Sequence, residues 1–410
     1  MTRPNASVDT EIAVIGGGPA GLAAALALAF LGRDVAVIAP PYAREHPQQD
    51  TRTTALLSSS VALMENLGVW RACGHLSAPL AGVRIVDDRG GVLRNPEVLF
   101  DAAELELASF GANISNAALN AALNDAVERE PRITRVVTSV TRIAPGTATV
   151  HLELKDGSTL EARGVVAADG RNSLARAAAE IATRSWSYPQ TALATTFRHS
   201  KSHNNLSIEL HRRPGPLTTV PLPGNASSLV WVEDPDEAQR IAKLGTSAFA
   251  RALEERLQGA LGNIGEVGPI ALYPLSGLHA ERMAARRIAL VGEAGHVLPP
   301  IGAQGLNLGL RDAAALAECI ADARNRGEDI GGEATMEAYH RARASDVLVR
   351  SVSIDLLNRS LLTGFLPADA LRGVGLHLLA AFGPLRKLSM HAGMGAAGPL
   401  PRLMRPRVTA

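Results

Sequence analysis

The sequence predicts an α/β fold in which one domain is split along the chain, a mostly antiparallel β domain is inserted into it, and a helical region follows. Three observations predict it. A strand, a glycine turn, a helix and a second strand occupy residues 11–38. Two further apolar strands, Val165–Ala168 and Arg287–Val291, each run into a loop that carries an acid and a glycine. Between them, from about Trp186 to Glu233, alternating segments are broken by Pro214-Gly215-Pro216 and Pro221–Gly224, as in antiparallel sheets. One chain accommodates that order when one domain is discontinuous and the other interrupts it. The expected boundaries are 1–75, 100–180 and 276–330 for the split domain, 76–99 and 181–275 for the insert, and 331–410 for the helical region.

Each element has a local cause. Glu11–Ile15 reads as a buried strand, Gly16–Gly18 as a tight turn and Pro19–Leu31 as a helix, with Pro19 in the first turn where its missing N–H is no loss. That helix is apolar nearly all round, so both its faces should be buried. Gly32 stops it and Asp34–Ile38 follows as a strand, completing a Rossmann-like βαβ unit. Farther on, Thr149–Leu154 and Thr159–Arg163 flank an Asp156-Gly157 hairpin turn. A Pro/Gly-rich loop, Leu298–Gly305, leads into a helix from about Leu306 to Arg324, and beyond Gly331 the pattern is largely helical.

Composition narrows the class. The chain has 410 residues, 46% of them hydrophobic and 20% charged, which suits a globular protein of two or three units. A formal net charge of +1 gives no reason to expect nucleic acid as a partner. Cys73 and Cys319 fit neither a metal site nor a disulfide framework and read as small buried hydrophobes in a reducing compartment. Residues 1–10 are polar and lack the apolar core of a signal peptide, so a cytoplasmic protein is expected, with membrane contact only at its surface.

Gly16, Gly18 and Gly21 form a G-x-G-x-x-G pattern around Ala20. The first glycine permits the turn, the second lets backbone N–H groups approach a pyrophosphate, and the third lets helix and strand pack closely. The helix N-terminus adds unpaired donors and partial positive charge. A dinucleotide is therefore expected here. The acid that usually meets the adenosine ribose at the end of the second strand is replaced by Ala39, followed by two prolines.

With Asp169-Gly170 and the run from Gly292-Glu293-Ala294-Gly295-His296 through Pro300, Gly302, Gly305, Leu306 and Asn307 to Asp312, the sequence resembles the group A FAD-dependent aromatic monooxygenases of the para-hydroxybenzoate hydroxylase type. Asp50–Leu56, Met64–Trp70, Gly215-Pro216-Leu217 with Pro221-Leu222, and Pro399–Arg405 narrow the resemblance to the ubiquinone-biosynthesis hydroxylases. It implies FAD as cofactor, NAD(P)H as a transient co-substrate without a second nucleotide motif, and O2 activated as a flavin C4a-hydroperoxide. The implied substrate is a polyprenylated phenol, with peripheral membrane contact or a biosynthetic protein assembly as possible settings. Gly16, Gly18, Ala20 and Gly21 would hold the pyrophosphate, and Arg52 would reach the flavin side. Asp169 and Gly170 would serve FAD and the nicotinamide approach, and Glu293, where the family has Asp, would bind the ribityl chain. Pro300, Gly302, Gly305, Leu306 and Asn307 would lie along the isoalloxazine ring.

Several readings stay open. Without the resemblance, Asp169 is a turn aspartate and Arg52 a surface charge, and His296 is equally structural or functional. No residue between Trp186 and Glu233 stands out as a base for the phenol. An epoxidase, a polyprenyl reductase or a non-catalytic flavin-binding assembly subunit would share the fold. After Asp369 the chain has no acid but carries Arg372, Arg386, Lys387, Arg402, Arg405 and Arg407 among apolar residues. Such a tail rests on an anionic lipid surface or packs on its own domain with its arginines in water.

Overall fold

The computed structural model describes residues 7–42, 52–88, 96–362, 366–395 and 398–406. Asp50, Thr51 and Arg407, singled out above, lie outside them.

Ser7–Ile15 is the hub of the first sheet, parallel on one side to Val35–Ala39 and on the other to Thr159–Ala167. Ile133–Val137 extends the sheet beyond Val35–Ala39, and Ile288–Leu290 lies parallel to Thr159–Ala167 at the other side. Their central stretches, Ile12–Ile15, Val35–Ala39, Val165–Ala167 and Ile288–Leu290, are continuous apolar runs because both faces are covered. One cover is the helix Pro19–Phe30, whose residues 21–29 are all buried, as an all-round apolar helix requires. It packs against Gln304–Asn325 and Asn116–Arg129.

Thr159–Arg163 and Val165–Ala168, expected as separate segments, form one strand, Thr159–Ala167. Gly164 does not interrupt it, and the neighbouring chain comes close at Gly331, where a Cβ would stand 1.9 Å from the Arg163 carbonyl oxygen. The helix expected from Leu306 begins at Gln304.

Among the described residues the second sheet has nine strands and is antiparallel except where Leu206–His211 runs parallel to Gly82–Asp87. Its backbone is Thr183–His199, paired with Ala226–Glu233 and Ala271–Ala280. One face packs on Pro235–Ala242 and Thr246–Leu257 around Trp231 and Phe249. Alternate residues on Leu206–His211 therefore differ sharply: Ile208 and Leu210 enter that core, while Ser207, Glu209 and His211 line a cavity on the other face. A small sheet of Thr53–Leu57, Gly111–Ser115 and Ala78–Pro79 joins the two bodies. The helices Glu333–Leu362, Leu366–Ala381 and Gly383–Met394 complete the expected helical region.

Candidate active site

The glycines of the first motif divide by what limits them. Gly16 has φ +123°, and a Cβ there would stand 2.1 Å from the Ala168 carbonyl oxygen. A Cβ at Gly21 would come within 2.3 Å of the Gly16 oxygen. Both are fixed by the protein itself. A Cβ on Gly18 would meet nothing within 4 Å, yet Gly18 is the N-cap of Pro19–Phe30 and provides no side-chain cap. Open space and uncapped N–H groups at one helix end are what a phosphate needs.

The other motifs converge on the first. The Ala20 methyl packs against Gly292 and Gly309, which approach each other so closely that a Cβ on Gly309 would lie 3.1 Å from the Gly292 Cα. Asp169 follows its strand and accepts from the Ala175 N–H at 3.1 Å through Oδ2, while Oδ1 is buried without a partner. Gly170, at φ +81°, continues the turn. Arg176 donates to the carbonyls of Arg171 and Ala294, fastening this loop to the turn Gly292–Ala294 on which Glu293 is exposed. Arg52 is exposed with its guanidinium 5.5 Å from the Tyr273 ring centre. Ala39 is buried against Gly17, where a Cβ would stand 2.8 Å from the Ala39 methyl.

In the third motif Pro300, Gly302 and Gly305 are exposed, Leu306 is half-buried, and Gly305 has open space beside its Cα. Gln304–Asn325 begins here without a side-chain cap, so a second helix N-terminus faces the site. The turn before it needs left-handed residues, Gly302 at φ +64° and Ala303 at φ +55°. Asn307 is fully buried. It accepts from the Leu57 N–H at 2.8 Å and donates to the carbonyls of Ala55 and Ala303. Its amide thus ties the loop to Thr53–Leu57, and its influence on a ring bound there passes through that tie.

Beneath the loop lies a charge network that sequence reasoning missed. His296, buried, has Nε2 2.6 Å from Asp312 Oδ2, which also accepts from the Gly292 N–H at 3.1 Å. Arg343 bridges Asp312 and Asp346 at 2.7 and 2.8 Å, and Arg311 adds a 2.6 Å bond to Asp346. Burial alone would raise the Asp312 pKa, but the opposing pull and hydrogen bonds of His296 and Arg343 hold it below the ordinary carboxylate range. Through this bond His296 helps fix the floor of the third motif. The only sign of this network in the sequence is that Arg311-Asp312 has apolar residues on either side of it.

A cavity of about 730 Å³ opens beside Leu298–Leu306. Its walls are the sheet face bearing Ser207, Glu209 and Val230, the strand Thr53–Leu57, and the helices that carry Leu376, Leu379 and Met390. Glu209 and His211, 2.8 Å apart, escaped the sequence reading. The signal was the alternation of polar 207, 209 and 211 with apolar 208 and 210.

Cys73 fits its reading as a small buried hydrophobe, whereas Cys319 is only partly buried. Cys73 is buried, which raises its pKa, and burial with nearby Asp322 and Glu318 pushes that of Cys319 up to about 11.

A family model described as "FAD binding domain" matches residues 9–349. The chain is 35% identical to ubiquinone hydroxylase UbiL of Rhodospirillum rubrum over 96% of this chain and 92% of that protein. It is 32% identical to 3-demethoxyubiquinol 3-hydroxylase of Escherichia coli over 94% of this chain and 98% of that protein. The chain belongs to the FAD-dependent aromatic monooxygenases of the ubiquinone hydroxylase family. The fold agrees with p-nitrophenol 4-monooxygenase of Pseudomonas putida at a TM-score of 0.76 and 18% identity, covering 96% of this chain and all of that one. As a monooxygenase of this family the protein uses FAD, with NAD(P)H as co-substrate. The open space at Gly18 and Gly305, the uncapped helix ends and the orphaned Asp169 Oδ1 fit that cofactor.

Proposed function

We propose that this protein hydroxylates the ring of a polyprenylated phenol in ubiquinone biosynthesis. The observation that carries the reading is the cavity beside the third motif. It is large and walled mainly by apolar side chains, with a few polar groups on the sheet, as suits an aromatic head on a long hydrocarbon tail. When bound, FAD would supply the redox chemistry, taking electrons from NAD(P)H and passing them to O2. The protein's own part is to hold and orient. Gly16, Gly18, Ala20 and Gly21 would hold the pyrophosphate, Asp169 and Gly170 the cofactor's middle, Glu293 the ribityl chain and Arg52 the flavin side. Pro300, Gly302, Gly305, Leu306 and Asn307 would form the wall along the ring. N–H groups at the start of Gln304–Asn325 would stabilise negative charge on it.

The substrate's tail would reach the cavity from a lipid surface. Leu348, Val349, Val352 and Leu356 of Glu333–Leu362 are 48–62% exposed, and Val374, Leu378 and Leu388 on the next two helices are 51–64% exposed. The same three helices contribute Leu357, Leu376, Leu379 and Met390 to the cavity. Arg386, Arg402 and Arg405 of the tail are poor candidates for that contact. Arg386 is held by Glu104 at 2.8 Å, Arg402 by Asp322 at 2.8 Å, and Arg405 by the Leu400 carbonyl. Apolar surface rather than basic charge thus supports membrane contact. Among the described residues no helix is long and apolar enough to cross a membrane.

Deleting the gene in its host and identifying the quinone precursor tests the assignment. A precursor lacking one ring hydroxyl is expected to accumulate. An unchanged quinone pool would overturn the reading.

A further inference from the structure

Among the described residues lining the cavity, only Glu209 and His211 have acidic or basic side chains. Both are largely removed from solvent, their side chains 13% and 7% exposed. A carboxylate in an otherwise apolar chamber is costly unless something opposes its charge, and here His211 Nε2 stands 2.8 Å from Oε1. With its proton on Nε2, His211 donates that bond, and its Nδ1 is buried without a partner. The pair does not tie elements together, since both residues belong to one strand, Leu206–His211. The neighbouring strands bring little charge. Thr218 stands opposite Glu209, Ile85 is its partner on the other side, and Asp87 is the partner of His211. Arg84 of that strand is paired with Glu97. The helices across the cavity present Leu376, Leu379, Met390 and Met394.

We infer that Glu209 is the catalytic residue that accepts the phenol's proton, with His211 as its positioning residue. This rests on the hydroxylase reading. The phenol O–H bond breaks, its electron pair stays on oxygen, and the proton passes to the Glu209 carboxylate. The phenolate ring is a far better nucleophile toward the activated oxygen, which O2 and NAD(P)H supply. As one oxygen atom is transferred the O–O bond breaks; the attacked ring carbon then loses its hydrogen as a proton, which leaves in water with the second oxygen atom, and aromaticity returns. Glu209 gives its proton back to the phenolate oxygen and is ready again.

The test uses the FAD-loaded full chain, a short-chain 2-prenylphenol and its O-methyl ether. Glu209→Gln is expected to retain FAD and flavin reduction but lose about a hundredfold or more in hydroxylation near neutral pH, the usual scale of acid–base catalysis. Its rate should recover as pH rises toward ~10, where phenols ionise unaided. In binding, followed by flavin fluorescence, the parent should prefer the phenol to the ether and Glu209→Ala should lose that preference. His211→Gln, which keeps a donor, should retain most of the rate that His211→Leu loses. A Glu209→Gln protein with the parent's rate and pH profile would overturn the proposal alone. A parent that yields no hydroxylated phenol would overturn the hydroxylase reading and this proposal with it.

Discussion

The two walls of the site are made of different material. The dinucleotide side, Gly16–Gly21 and Gly292–Gly309, is shaped by backbone: glycines let chains touch, and two uncapped helix ends point at the space between. The sheet side, Leu206–Val230, is shaped by side chains standing on one face of antiparallel strands. Backbone walls tolerate almost no change where the protein fills the space and block only the ligand where it does not. Side-chain walls can be altered one residue at a time with the fold intact. A cofactor common to many enzymes suits the first kind, and a specific substrate the second.

The largest effect is expected where the backbone wall meets its charged floor. Asp312→Ala leaves His296 without its acid and Arg343 with Asp346 alone, and breaking such a buried pair costs about 3–5 kcal/mol. Urea unfolding should show that loss. The pH dependence follows from the sign of the shift. Asp312 is held below its unfolded pKa, so its stabilisation is present above the ordinary carboxylate range and lost as pH falls through the lower folded value. The variant's acid unfolding should lack that component.

Gly18→Val sharpens the comparison next. Because a Cβ there meets no protein atom within 4 Å, the variant should fold like the parent without cofactor and fail to retain FAD. Gly21→Val, whose Cβ would meet the Gly16 oxygen at 2.3 Å, should fail to fold. Similar unfolding midpoints for the two apo variants would break the distinction.

On the lipid side, Leu348→Ser, Val352→Ser and Leu356→Ser combined should weaken flotation with anionic vesicles about tenfold or more, since each apolar side chain buried is worth about 1.5–3 kcal/mol. Lys387→Gln should change it little. The reverse order would return the contact to charge. The smallest effect is expected at Ala303, left-handed at φ +55°, where glycine should relieve about 1 kcal/mol in urea unfolding.

How much of this was legible follows from the same contrast. Gly16, Gly18 and Gly21 declare themselves because their constraint is local: a strand, a turn and a helix within a few residues. Asn307 was legible as part of a motif, but its bonds to Ala55 and Leu57 join segments far apart in sequence. Glu209 was not legible, because a polar residue on a strand is ordinary until something covers that face, and the cover comes from helices much farther along the chain. The tail was only partly legible for the complementary reason. It has no acid of its own, yet Glu104, Glu318 and Asp322 of the folded domain reach Arg386 and Arg402.

The central claim is that the backbone wall's cofactor delivers oxygen to a phenol held by the side-chain wall. The direct measurement is single-turnover oxidation of a short-chain 2-prenylphenol by the NAD(P)H-reduced protein under 18O2, read by mass spectrometry. One 18O atom in a new ring hydroxyl is the result expected. Reduced flavin that reoxidises with hydrogen peroxide as its only product, leaving the phenol unchanged, would contradict it.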